Sequence, residues 1–193
     1  MIDIHNINPR WDSVIVCLSK LEEIQNIIFQ DQSSSTDIAV RYGKIVSHGP
    51  KSEEIESCPG ITNGDEVLFT EFAGYYIPAT DTDNLYKVIR GYDIIGKQMK
   101  EDQVIPTGDR VLIEVMDFTD PENGIIYNAK DPKLADLFYG KVVRINPLIN
   151  RLNLSEGQLV AFPPYAGTTI RHYESADKKE LKILVEYDIL FTV

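Results

Sequence analysis

Apolar residues in this chain come in short runs rich in β-branched side chains: Val14 to Leu18, Ile45 to Val46, Val67 to Phe69, Tyr75 to Ile77 and Tyr86 to Ile89. Runs of this length predict strands. Gly, Pro, Asn, Asp or Ser stands between one run and the next, supplying the backbone geometries of turns. Short strands at roughly even spacing, with no βαβ alternation, predict a small closed or nearly closed barrel. Two stretches, around Leu18 to Phe29 and around Pro132 to Phe138, place apolar residues at helical spacing instead.

The pattern occurs twice. Ile7-Asn8-Pro9 followed by Asp12-Ser13-Val14-Ile15-Val16 returns as Val104-Ile105-Pro106 followed by Asp109-Arg110-Val111-Leu112-Ile113, 97 positions on. Gly43-Lys44-Ile45-Val46 returns as Gly140-Lys141-Val142-Val143 at the same offset. Gly64 to Phe69 and Ala73 to Ile77 return as Gly157 to Phe162 and Ala166 to Ile170, both at 93. Tyr92-Asp93-Ile94-Ile95 returns as Tyr187-Asp188-Ile189-Leu190 at 95. Five blocks in one order, with small drifts in offset, mark an internal repeat whose length differences fall in surface loops. The expected organisation is two domains, residues 1–98 and 103–193, joined near Lys97 to Gln103. Both helical-looking stretches lie where the repeat is weakest, and we read them as loop.

Composition narrows the function classes. The chain is 193 residues long with 43% hydrophobic and 25% charged residues, an ordinary globular balance. No apolar run approaches the ~20 residues of a membrane-spanning helix. The opening residues lack the basic and apolar regions of a signal peptide, so a cytoplasmic location is expected. Net charge is −11, and both halves are acidic: 8 basic against 15 acidic residues in 1–98, 11 against 15 in 99–193. No basic stripe is available for phosphates or an anionic membrane, so neither nucleic acid nor membrane is expected as a partner. Cys17 lies within a strand-like run and reads as a buried, reduced core residue, with Cys58 its only possible disulfide partner.

No catalytic constellation assembles. His5, His48 and His172 have no partner at metal-ligand spacing, and no nucleophile elbow, phosphate loop or dinucleotide fingerprint is present. Neither an enzyme nor a cofactor is expected.

The ordered blocks, taken together and found twice, resemble the GroES-type co-chaperonin (chaperonin-10-like) family. The first strand matches at Ile7, Pro9, Asp12, Val14, Ile15 and Val16, then at Val104, Pro106, Asp109, Val111, Leu112 and Ile113. The Gly-x-Val strand, the Gly-Asp-x-Val-x-Phe strand and the closing Tyr-Asp-Ile follow in the family's order. The resemblance implies an all-β fold of two tandem GroES-like small β-barrels. It also implies capping of a GroEL-type chaperonin, with ATP bound by that partner, and self-association into a ring. Medium-chain dehydrogenases also carry a GroES-like domain, but the Rossmann domain they add is absent. The segments after Gly43 and after Gly140 are shorter than the family's roof hairpin, and residues 146–151 show no hairpin turn.

The family's chaperonin-binding loop carries a Gly-Ile-Val-Leu type motif. Its position here is taken by Gly124, Ile125, Ile126 and Tyr127 in the second half, and by Ile27, Ile28 and Phe29 in the first, where Asn26 replaces the glycine. Three apolar side chains amid polar residues cannot collapse alone. Seated in an apolar groove, each would contribute roughly 1.5–3 kcal/mol, from which loop ordering subtracts about 2–5 kcal/mol. A single loop then binds weakly, and several on one ring bind through effective concentration. The same triplets also read as ordinary buried strands. In the family, the first and last strands of neighbouring subunits pair, which makes Ile2, Ile4, Ile189 and Phe191 the candidate edge residues. Tyr75-Tyr76 reads as one ring inside and one outside a strand, and the Glu53, Glu54, Glu56 cluster as a solvated loop face. A tandem β-barrel scaffold with the same fold and another partner is the competing reading.

Overall fold

The computed structural model describes residues 3–18, 40–50, 60–80, 84–100, 103–116, 137–170 and 180–192. The chain forms two compact units, Met1–Gly108 and Asp109–Val193.

The first unit holds strands β1 (Ser13–Leu18), β2 (Val40–His48), β3 (Glu66–Thr70), β4 (Tyr75–Ile77), β5 (Leu85–Arg90), β6 (Ile94–Lys100) and β7 (Gln103–Pro106). They form one antiparallel sheet in the order β4-β5-β1-β2-β3-β6-β7. Alternation along β1 sends Val14, Val16 and Leu18 inward, where they join Ile45, Val67, Phe69, Ile89 and Ile94 in a single cluster. Strands from across the sheet order feed that one cluster, so the sheet curls around its core.

The second unit holds β8 (Arg110–Val115), β9 (Phe138–Ile145), β10 (Leu159–Phe162), β11 (Thr168–Ile170), β12 (Leu181–Val185) and β13 (Phe191–Thr192), in the order β11-β12-β8-β9-β10-β13. Its core matches the first position by position. Val111, Ile113, Val142, Leu154, Val160, Phe162, Ala166, Leu184 and Ile189 stand where Val14, Val16, Ile45, Ile61, Val67, Phe69, Ala73, Ile89 and Ile94 stand. The register shifts at the same place too, between Ile15 and Val16 and between Leu112 and Ile113. Gly74 and Gly167 immediately precede the corresponding fourth strands, at φ 64° and 73°. A Cβ there would lie 1.9 Å from the Val88 carbonyl oxygen or 2.6 Å from that of Ile183, so both positions require glycine.

Every regular element among the described residues is a strand or a single 3-10 turn, in keeping with the all-β reading. The division into compact units falls at Gly108, because β7 pairs with β6 and so completes the first unit's sheet. Ile4–Asn6 is one 3-10 turn, and Ile4 packs with Ile15 and Tyr86 on the outer side of β1. Two details depart from what the sequence led us to expect. Tyr75 and Tyr76 do not alternate, being 81% and 62% exposed, because β4 is the last strand of its sheet and little covers either face. Cys17 is half-buried on the outer face of β1 rather than in the core, and Cys58 lies outside the described residues.

Candidate partner loops and assembly edge

The two apolar triplets fall in equivalent connections. The chain leaves β1 at Leu18 and returns at Val40 in β2, and it leaves β8 near Met116 and returns at Phe138 in β9. Ile27, Ile28 and Phe29 belong to the first connection, and Gly124, Ile125, Ile126 and Tyr127 to the second. All seven lie outside the described residues, as do the glutamates at 53, 54 and 56. The roots of both connections are anchored. Leu18 pairs with Leu85 and Val40 with Thr70, while the Met116 N–H donates to the Tyr139 carbonyl at 2.9 Å.

Beside the first unit's root lies a buried cation that sequence reasoning missed. Lys87 on β5 is 5% exposed and donates to the Glu71 carbonyl at 2.8 Å. Its ammonium sits 5.0 Å from the Tyr76 ring and 5.9 Å from that of Phe69, and Arg41 pairs with the Glu71 carboxylate alongside. Burial, then repulsion from Arg41, hold Lys87 below the ordinary lysine range, against an opposing pull from Glu71 and Asp93. Lys182 occupies the equivalent place on β12, 5.6 Å from the Phe138 ring. The repeat carried the signal, a lysine in the same strand of each half, but a lysine in an alternating run ordinarily reads as solvent-facing.

The open edge of the second unit's sheet is the sharper feature. In the first unit β6 lies between β3 and β7, whereas β13, its counterpart, pairs with β10 and is the last strand of its sheet. The side chains register the difference. Ile95 is 5% exposed and its counterpart Leu190 54%. Phe191, where the first unit has the buried Gly96, is 46% exposed, with its ring edge-on to Tyr139 at 6.3 Å. Of the candidate edge residues, Phe191 lies on the open strand, Ile189 belongs to the core at 8% exposure, Ile4 packs on its own unit, and Ile2 lies outside the described residues.

Residues 103–193 match the family model described as chaperonin 10 kDa subunit. This half of the chain is chaperonin-10-like. No curated protein matches the chain. The family match begins at Gln103, six residues ahead of the second compact unit. A strand that belongs by family to the second half, β7, is therefore hydrogen-bonded into the sheet of the first. Among the described residues, no three His, Cys, Asp or Glu side chains are placed to hold a metal.

Proposed function

We propose that the chain is a double-domain co-chaperonin. Both halves are capping domains of the chaperonin 10 type, and copies associate into a ring that closes a GroEL-type chaperonin during ATP-dependent folding. The partner binds the ATP, and the cap contributes no reaction of its own. The observation that carries this reading is the family match over 103–193 joined to the nine-position core equivalence, which extends the same domain to the first half.

The contact is assigned to the two β1–β2-type connections, with Ile125, Ile126 and Tyr127 as the principal anchors and Ile27, Ile28 and Phe29 as the first half's equivalents. Self-association is assigned to β13. Its counterpart β6 accepts β7, and the residues of another copy equivalent to β7 are those around Ile7 to Pro9. Pairing there would cover Leu190 and Phe191 as β7 covers Ile95 and remove an exposed sheet edge.

The test is co-sedimentation with the chaperonin of the same host, with and without ATP, for the wild-type chain and Ile126→Asp. Nucleotide-dependent binding that the aspartate reduces by at least tenfold is the expected result, since a charge in an apolar groove costs several times the ~1.4 kcal/mol that a factor of ten represents. Absence of binding in every nucleotide state would overturn the proposal.

A further inference from the structure

The strand pair inside the chain gives a residue-level template for the pair between copies. β6 and β7 register Gly96 with Pro106 and Lys97 with Ile105, and Thr107 continues the pairing by donating its N–H to the Ile95 carbonyl and its hydroxyl to that of Ile94. β13 holds the same register to its inner neighbour as β6 does: Val67 with Lys97 and Leu68 with Gly96 become Val160 with Thr192 and Ala161 with Phe191. Transferring the outer register by the repeat offsets sets Pro9 of a second copy opposite Phe191 and Asn8 opposite Thr192. Arg10 then follows beside Leu190, and Trp11 comes to the turn formed by Glu186–Asp188.

Trp11 is where the two seams differ most. Its counterpart on the inner seam is Gly108, and the two share a left-handed backbone, φ 58° and 62°. Glycine takes that conformation freely, whereas a bulky side chain there is a strained outlier. Trp11 is nonetheless the sole tryptophan, and it is 64% exposed. On the facing strand the outer seam exposes Tyr187, Leu190 and Phe191, and the inner seam has Tyr92, Ile95 and Gly96 in those places.

We infer that Trp11 is an assembly residue, closing the seam between copies by packing against Tyr187 and Leu190 of the next copy, a contact for which the seam within the chain has only Gly108. The inference rests on the ring reading above and adds to it a reason for copies to join tail to head. The outer seam carries an aromatic contact, central in a shared edge, of the kind that dominates interface energetics. Strain held at an exposed aromatic is then matched to a use. Relaxing it with glycine would help the isolated chain and harm the assembly.

The full chain supplies its own reporter, because Trp11 is the only indole. Sedimentation velocity and tryptophan emission would be followed together across a dilution series. Where sedimentation shows assembly, the emission is expected to shift to the blue and acrylamide quenching to fall. Trp11→Gly is expected to leave the urea midpoint of the dilute chain unchanged or higher, while raising the half-assembly concentration by about 30-fold, the loss of one hot-spot side chain. Trp11→Phe should recover most of that loss. Leu190→Asp tests the edge itself, and should abolish assembly with the circular dichroism spectrum intact. Assembly with Trp11 as quenchable as in the dilute chain, or assembly by Trp11→Gly at an unchanged concentration, would overturn the inference and leave the ring reading standing. No assembly of the wild-type chain at any concentration would overturn both.

Discussion

At the turn before its third strand the first unit uses a carboxylate, and the second unit uses an amide. Asp65 accepts the Thr62 N–H at 2.7 Å and the Lys97 ammonium at 2.7 Å. Gln158 accepts the Ser155 N–H at 3.0 Å through the same three-residue cap, and Thr192 stands in the place of Lys97. Cap geometry is common to the two units; the ion pair is not. A second contrast lies near the 3-10 turn after β5 and β12. The first unit buries Asp12 against Arg90. The second leaves Asp109 partly exposed near Arg151 and buries Glu186 where the first unit has Gly91. One Glu186 oxygen accepts the Arg151 N–H at 3.0 Å, and the other meets no donor among the described residues. Apolar positions are dictated by sheet closure and stay fixed across the repeat. Polar positions answer to whichever loop lies over them, and here they have gone separate ways.

Packing is alike in outline and unequal in detail, which permits the largest test. Gly43 and Gly140 are equivalent residues of β2 and β9. A Cβ on Gly140 would lie 2.3 Å from Ile113 Cγ2 and 2.8 Å from the Glu114 carbonyl oxygen, with no room on either side. On Gly43 the nearest atoms are Phe69 Cε1 at 3.1 Å and the Cys17 carbonyl at 3.2 Å, which need give only a few tenths of an ångström. Gly140→Ala should therefore cost about 3 kcal/mol and Gly43→Ala about 1 kcal/mol, the two ends of the overpacking range. Urea unfolding with hydrogen exchange resolved by strand would measure both. Equal costs would mean that the two barrels pack alike and that the contrast drawn from these distances is wrong.

That inequality could not be foreseen, although the architecture could. Alternation and turn residues located most of the strands, and the repeat blocks contain seven of the nine shared core positions, with Ile61/Leu154 and Ile89/Leu184 lying between blocks, because burial periodicity is a local property of strands. What stayed hidden was relational. Gln103 to Pro106 reads as a strand, yet nothing in its pattern says which sheet it joins. Ile4 packs on Ile15 and Tyr86 of its own unit, which its apolar character alone does not say. Lys87 and Lys182 are inward because rings and a carbonyl receive them, partners that no spacing rule announces. Trp11 gave no sign of its backbone conformation until compared with Gly108. The apolar triplets at 27–29 and 125–127 were legible only through the family's order of blocks, and they lie outside the described residues.

The ion pair at Asp65 gives the next effect in size. Burial by itself would raise the Asp65 carboxyl, but hydrogen bonds from Lys97 and Thr62 outweigh it and hold the group below the ordinary aspartate value of 3.8. A carboxyl depressed by folding contributes stability above its unfolded pKa, and that contribution is lost as the pH falls below about 3.8 towards the folded value. Asp65→Asn keeps an oxygen for Thr62 and forfeits Lys97, making the first unit resemble the second. A loss of roughly 1 kcal/mol at neutral pH is expected for this partly exposed charged contact, shrinking in high salt. Trp11 lies in the first unit and reports its unfolding by fluorescence. An unchanged midpoint would show that the cap alone, as at Gln158, suffices.

The second unit should answer acid in the opposite direction, by a smaller amount. Burial raises the Glu186 carboxyl above 4.5, the nearby Asp109 adds to this, and the N–H groups of Arg151 and Leu152 with the Arg151 charge only partly offset them. A group raised by folding binds its proton more tightly in the native state. The stability tied to it is fully present below about 4.5 and lost as the pH rises through the folded value. Between pH 7 and 4.5 the second unit should thus gain stability, while below 3.8 the first unit loses some. Glu186→Gln removes the titration and leaves an oxygen for the two loop N–H groups, so the second unit's profile should flatten across that interval, within the ~1 kcal/mol scale of one buried hydrogen-bonding group. Hydrogen exchange of β8 and β12 against β1 and β5, followed from pH 7 to 4.5, separates the units. If both shift together with acid, the buried charge at Glu186 is not what distinguishes them, and its second oxygen must be satisfied by water that screens it.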